Sequence, residues 1–169
     1  SLQRLRQMAD EQPIVRLVNQ LVEEAVRRRA SDIHVEPQER HIRVRYRIDG
    51  VLLTKGTLPD YVHAQVVSRV KIMANMDIAE RRVPQDGSFQ TRVDGRPIDV
   101  RVSTIPSFYG EKAVLRLLDK SAPIYDLDKL GLSARNIGRL RRIIRRPQGI
   151  FLLTGPTGLA GRGGLTATK

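Results

Sequence analysis

Gly155, Pro156, Thr157 and Gly158 close an apolar run, GIFLLTGPTG, in the way a buried strand feeds a phosphate-binding loop. In a Walker A loop, G-x-x-x-x-G-K-[ST], glycines let backbone N–H groups cradle phosphates. The lysine reaches the β- and γ-phosphates, and the hydroxyl holds Mg²⁺. Counted from Gly155, the second glycine falls on Ala160, the lysine on Gly161 and the hydroxyl on Arg162. Losing that lysine removes a full charge from the place where charge develops, worth several kcal/mol in a water-poor site. Slipping the frame by one residue offers Arg162, but its planar fork differs from an ammonium and Gly163 then stands where a hydroxyl is needed. A plain Gly/Pro turn after an edge strand accounts for the four residues equally well. Alone, the loop predicts no competent catalysis.

Arg101 in DVRVST and Arg116 in VLRLL are single cations inside alternating apolar strands. On a solvated face they would pair with neighbours such as Asp99 and Glu111. Alternatively, two strand-mounted guanidiniums present rigid forks to phosphate oxygens, a bidentate geometry that arginine supplies best. Arg43, Arg45 and Arg47 form a similar polar row, for which simple solvation is the default. Glu36, Glu39, Asp86 and Glu111 make no convincing acid pair for hydrolysis, and His34 reads as structural rather than as a general base. With no cysteine and three irregularly spaced histidines (His34, His41, His63), no metal site is expected.

The elements that must carry these residues follow from periodicity. In 13–30, Ile14, Leu17, Val18, Leu21, Val22, Ala25 and Val26 fall on one stripe of period 3.6, after a proline suited to the first turn. SDIHVE reads as a strand. In HIRVRYRIDGVLL the period becomes two, with Ile42, Val44, Tyr46 and Ile48 on one face, and Asp49-Gly50 marks a tight hairpin. Residues 59–76 return to helical spacing, and 77–86 read mostly as loop. SFQTRV and RPIDVRVSTI form a second hairpin across Asp94-Gly95, with Ile98, Val100 and Val102 inward, and AVLRLLDK adds a strand. The mixture predicts an α+β domain with a largely antiparallel sheet. Composition shifts near residue 120, and Ser133 is placed to cap a helix running to Arg146 before Pro147 stops it.

A net charge of +12 attracts polyanions, so a basic nucleic-acid-binding domain is the alternative functional class. Against it stand the low aromatic content of 4% and the lack of a groove-reading motif. No apolar run approaches the ~20 residues of a membrane-spanning helix, and no signal-peptide h-region opens the chain. The cytoplasm is the expected compartment.

SDIHVEP, VRYRIDGVL, RVKIMANMDIAERRVPQDG, GRPIDVRVSTIPSFYGEKAVLRLLDK and GIFLLTGPTG follow one another in this order. Together they resemble the secretion ATPases, the type II secretion motors and type IV pilus-assembly ATPases, from about residue 10 to Gly158. The pairing of AERRVPQDG with STIPSFYGEKAVLRLLDK is far more specific than any Walker A match.

The resemblance implies a linker over 1–12, a PAS-like domain over 13–120, an interdomain linker over 121–132 and the first helix and strand of a RecA-like ATPase domain over 133–158. Residues 159–169 read as a non-family tail, a sharp edge expected of truncation. By the same likeness, Arg101 and Arg116 reach across to the nucleotide and sense its terminal phosphate. Gly155, Pro156, Thr157 and Gly158 begin the phosphate loop, and Leu130 and Gly131 lie near the adenine. The intact family member uses ATP and Mg²⁺, assembles as a homo-hexamer and works on inner-membrane platform proteins from the cytoplasmic side. The present chain is expected to be inactive alone, to hold no nucleotide tightly, and to be a monomer or weak dimer.

Overall fold

The computed structural model describes residues 2–119, 127–129 and 131–152. They fall into two compact units, residues 1–121 and 122–169. In the first, helices α1 (Leu2–Ala9) and α2 (Gln12–Arg27) precede strands β1 (Asp32–Pro37), β2 (His41–Ile48) and β3 (Val51–Pro59). A 3-10 turn (Asp60–Val62) leads into α3 (His63–Met73), followed by β4 (Gln85–Val93), β5 (Arg96–Ser107) and β6 (Gly110–Asp119). The strands form one six-stranded sheet in the order β3-β2-β1-β6-β5-β4, with every neighbouring pair antiparallel. This mixed helix and antiparallel-sheet architecture agrees with the period changes read from the sequence.

Both Asp-Gly hairpins close as expected. Asp49 and Gly50 have φ of 50° and 83°, Asp94 and Gly95 of 50° and 77°, so both central residues are left-handed and match the strand twist. Alternation then sorts each strand into two faces. Ile33, Val35, Ile42, Val44, Tyr46, Ile98, Val100, Val102, Ala113 and Leu115 are buried against Val18, Val22, Ala25 and Val26 of α2 and Val66 and Val70 of α3. Each Val, Leu or Ile among them contributes roughly 1.5–3 kcal/mol of transfer free energy when fully buried. Tyr46 reaches through this layer to donate its hydroxyl to the Leu21 carbonyl at 3.0 Å. Burial pushes that phenol up to about 12.

The helices expected over 13–30 and 59–76 both end before those ranges do, for one reason. In α2, Arg29 takes a left-handed φ of 56°, Ala30 N–H bonds Ala25 O at 2.8 Å and Arg29 N–H bonds Val26 O at 2.9 Å. In α3, Asn75 has the same φ, and Met76 N–H bonds Lys71 O at 2.9 Å. Both are Schellman ends, built without the usual glycine. The first delivers the chain directly to Ser31 and Asp32 at the start of β1.

Residues 1–12, read as a linker, instead carry α1. Eight residues are too few to hold a helix alone; here Ala9 is fully buried, α1 contacts α3, and Asp10 pairs with Arg69 at 2.7 Å. Tertiary packing supplies what the short, polar segment does not advertise.

In the second unit, a 3-10 turn (Leu127–Lys129) precedes α4 (Ala134–Ile144), whose first turn is capped by the Ser133 hydroxyl accepting from Asn136 N–H at 3.4 Å. Residues 149–152, expected to open a buried parallel strand, have no ladder among the described residues, and Ile150 and Leu152 are exposed. A parallel strand requires neighbours reached by long crossovers, and none is present among the described residues. Among these residues no helix is long and apolar enough to cross a membrane.

Candidate functional site

The polar parity of the strands faces away from α2 and α3, and the register aligns it into rungs. One rung runs Arg47, Asp32, Arg116, Arg101, Ser88 across β2, β1, β6, β5 and β4. The next runs Arg45, His34, Val114, Ser103, Asp86. Arg101 and Arg116, fifteen residues apart in sequence, are thus direct cross-strand partners. Like charges placed opposite one another destabilise a sheet, so the pairing has a cost that a bound anion would offset.

Their surroundings differ. Arg116 donates from Nε to Asp32 Oδ1 at 3.1 Å while its side chain stays 66% exposed. Arg101 is exposed and makes no hydrogen bond or ion pair among the described residues. Both line an open groove of about 490 Å³ with Ser88, Ser103, Gly87 and Asp86. Gly87 is required there for packing: a Cβ would lie 2.4 Å from the Ala74 carbonyl, so only glycine lets β4 approach the end of α3. Two guanidiniums and two hydroxyls fit a polyphosphate; among the described residues Asp86 is the single carboxylate on the lining.

Parity corrects the suggested pairing with Glu111. Glu111 points to the helix side of β6, where it pairs with the buried Lys71 of α3. Lys71 also donates to the Glu80 carbonyl at 2.7 Å, tying α3, β6 and the 77–84 loop together. Arg116 takes Asp32 instead.

Nor is the arginine row of β2 merely solvated. Arg45 meets Glu36 at 2.7 Å, Arg43 meets it at 3.2 Å, and Lys112 of β6 at 3.2 Å. Burial pushes the Glu36 carboxyl up, but the hydrogen bonds and charges of Arg45 and Lys112 outweigh it and hold the group at about 2. His34, between Asp32 and Glu36, has no hydrogen-bond partner on either ring nitrogen among the described residues. Burial, then the Lys112 charge, lower its pKa against the opposing pull of Glu36 and Asp32. The balance favours the neutral imidazole.

Because the Glu36 carboxyl titrates below its ordinary range in the folded chain, its contribution is present above the unfolded value of 4.5 and lost as pH falls toward 2. Urea unfolding at steps through that window is expected to lose about 3 kcal/mol for this group. Glu36→Gln should flatten the dependence over the same interval. An unchanged slope in the variant contradicts the assignment.

Sequence reasoning missed Asp32 as the partner of Arg116, and the Lys71–Glu111 pair. The first was readable, since Asp32 and Glu36 share the parity that faces Arg43, Arg45 and Arg47 once β1 and β2 pair. The second carried a fainter signal, a lysine inside the apolar arc of α3. Gly131 lies in the turn before α4 with φ of 74°. Leu130 and the loop Gly155, Pro156, Thr157 and Gly158 lie outside the described residues. Among the described residues, no group of three or more His, Asp or Glu has the geometry to hold a metal ion.

Comparison with known proteins gives these features a context. The sequence model of the family described as "Type II/IV secretion system protein" matches residues 7–165. The chain is 48% identical over 157 residues to the type II secretion system protein E of Xanthomonas campestris, covering 93% of this chain and 28% of that protein. It is 50% identical over 154 residues to the type II secretion system ATPase E of Vibrio cholerae, covering 91% and 31%. The chain therefore spans about a third of the length of the curated relatives it matches. Among solved structures, the Legionella pneumophila ATPase DotB superposes with a TM-score of 0.53 at 16% identity, over 79% of this chain and 36% of that one, a likeness of fold. With a family match that runs through nearly its whole length and relatives identical at half their aligned positions, the chain belongs to the type II/IV secretion system protein family.

Proposed function

We propose that this chain is the N-terminal, nucleotide-sensing part of a secretion or pilus-assembly ATPase. On this reading residues 13–120 are a PAS-like domain, 121–132 a linker, and 133–158 the opening helix and strand of a RecA-like domain, after which 159–169 depart from the phosphate-loop pattern. Arg101 and Arg116 receive the terminal phosphate of an ATP held mainly by the ATPase domain. The observation that carries this is their placement: two guanidiniums on one rung, side by side, with only one of them neutralised. A γ-phosphate bridging cations of two domains holds them together only until hydrolysis, which converts chemistry into domain movement.

In the intact assembly, a homo-hexamer acting on inner-membrane platform proteins from the cytoplasm, ATP and Mg²⁺ would be bound by residues beyond those with a place in the groove. Gly155, Pro156, Thr157 and Gly158 begin the phosphate loop, in which Gly155, Thr157 and Gly158 have backbone N–H groups to offer the phosphates, and Leu130 and Gly131 border the adenine. Since Gly161 and Arg162 stand where the lysine and the hydroxyl are needed, this chain alone does not turn over ATP.

Calorimetric titration of the chain with tripolyphosphate at low salt tests the site. Weak, salt-sensitive binding is expected, dropping about tenfold or more in Arg101→Ala and in Arg116→Ala, in line with loss of one charge-assisted contact. Equal affinity in wild type and both variants would refute the assignment.

A further inference from the structure

The SDIHVE segment holds a device that the phosphate reading leaves unused. Asp32 is 5% exposed at the start of the central strand β1, and its carboxylate is fixed from three sides. Ser31 Oγ donates to Oδ2 at 2.7 Å, Arg47 Nε approaches the same oxygen at 3.3 Å, and Arg116 Nε donates to Oδ1 at 3.1 Å. Arg47 is itself tied down, donating to the Gly50 carbonyl of the hairpin turn at 2.9 Å. The terminal amino groups of Arg116 have no protein partner among the described residues, and Arg116 lines the same groove as Arg101.

We propose that Asp32 is a positioning residue for the anion site, gripping Arg116 by Nε so that its two terminal amino groups face the ligand beside Arg101. The inference rests on the phosphate-sensing reading of the groove. A guanidinium has five donors in a fixed plane, so one edge can be anchored while the other binds. The anchor answers a particular difficulty: on one rung, Arg101 repels Arg116, and a free Arg116 would swing away from the place where both charges are needed together. Asp32 pulls from the side opposite Arg101 and holds the fork in place. Arg101 has no such anchor among the described residues, so Arg116 is the preorganised half of the pair. A lysine at 116 could not do both tasks, since a single ammonium meets either the carboxylate or the anion.

The effect of charge makes the test decisive, because the simple electrostatic expectation has the opposite sign. Removing the Asp32 charge beside a cationic groove would, by Coulomb attraction alone, tighten anion binding. Loss of positioning weakens it by the cost of immobilising one long side chain. The 169-residue chain is titrated with tripolyphosphate as wild type, Asp32→Asn, Arg116→Lys, Arg116→Ala and the double variant Asp32→Asn/Arg116→Ala, with circular dichroism confirming the fold. Asp32→Asn is expected to weaken binding roughly three- to tenfold. Arg116→Lys should bind about as poorly as Arg116→Ala. In the Arg116→Ala background, Asp32→Asn should no longer weaken binding, an outcome that a general structural role for Asp32 would not give. Wild-type or tighter binding by Asp32→Asn overturns the inference while leaving the phosphate reading intact. So does wild-type binding by Arg116→Lys, which decides the matter if Asp32→Asn does not fold. Wild-type affinity unaffected by Arg116→Ala overturns both.

Discussion

Truncating Arg101 to alanine is expected to lower ATP turnover roughly a thousandfold when this chain is joined to the remainder of a complete relative. A chimaera with the ATPase E of Vibrio cholerae, in which residues 13–154 replace the matching segment and the relative keeps its own phosphate loop, provides the setting. The magnitude is that of an arginine supplied to a transferring phosphoryl group, at the lower end of its range. Nothing in the fold opposes the substitution, because Arg101 is exposed and has no partner among the described residues to leave behind. The loss should appear in kcat rather than KM, since most of the nucleotide's binding contacts lie elsewhere and charge on the terminal phosphate grows toward the transition state. Arg101→Lys should recover a minor part, because a point charge replaces the fork but not its two-point geometry. Steady-state phosphate release measures both. Turnover within a few-fold of wild type would remove Arg101 from the chemistry.

Lys71→Met is expected to destabilise the chain by about 3–5 kcal/mol, the cost of leaving one member of a buried ion pair alone. Lys71 is 1% exposed and Glu111 7%, so neither can reach water when its partner is lost. The same change removes one of two donors on the Glu80 carbonyl, leaving Gln85, whose side-chain amide donates to the Asp77 and Glu80 carbonyls, to hold the loop alone. Replacing both partners, Lys71→Met with Glu111→Leu, should recover much of the loss, because an apolar pair removes the desolvation that the ions must overcome. Urea unfolding of the two variants gives the numbers. A single variant as stable as wild type would show the pair to be solvated in solution.

What the sequence made legible follows from which signals are local. Strand parity put Ile98, Val100 and Val102 inward and Arg101 outward, and Asp-Gly pairs located two hairpins, because each depends on neighbours one or two residues away. Helix α2 was plain from its stripe but its end was not, since a left-handed Arg29 replaces the glycine that would have announced it. Helix α1 was missed because its stability comes from α3, sixty residues on. The site divides in the same way. Arg101 and Arg116 stood out singly, as lone cations in apolar strands. Their adjacency on one rung depends on the β5–β6 register, and the hold of Asp32 on Arg116 depends on β1 inserting between β2 and β6. Strand order of that kind is a long-range property, and no window of residues contains it.

In the proposed function a terminal phosphate is received between two neighbouring strands of this sheet. The most direct measurement is a structure of the assembled chimaera with a non-hydrolysable ATP analogue, compared with the ADP-bound form. The guanidiniums of Arg101 and Arg116 should both lie within hydrogen-bond distance of γ-phosphate oxygens in the first and lose those contacts in the second. A γ-phosphate contacted by neither arginine, with the groove beside Ser88 and Ser103 filled by solvent in both states, would contradict it.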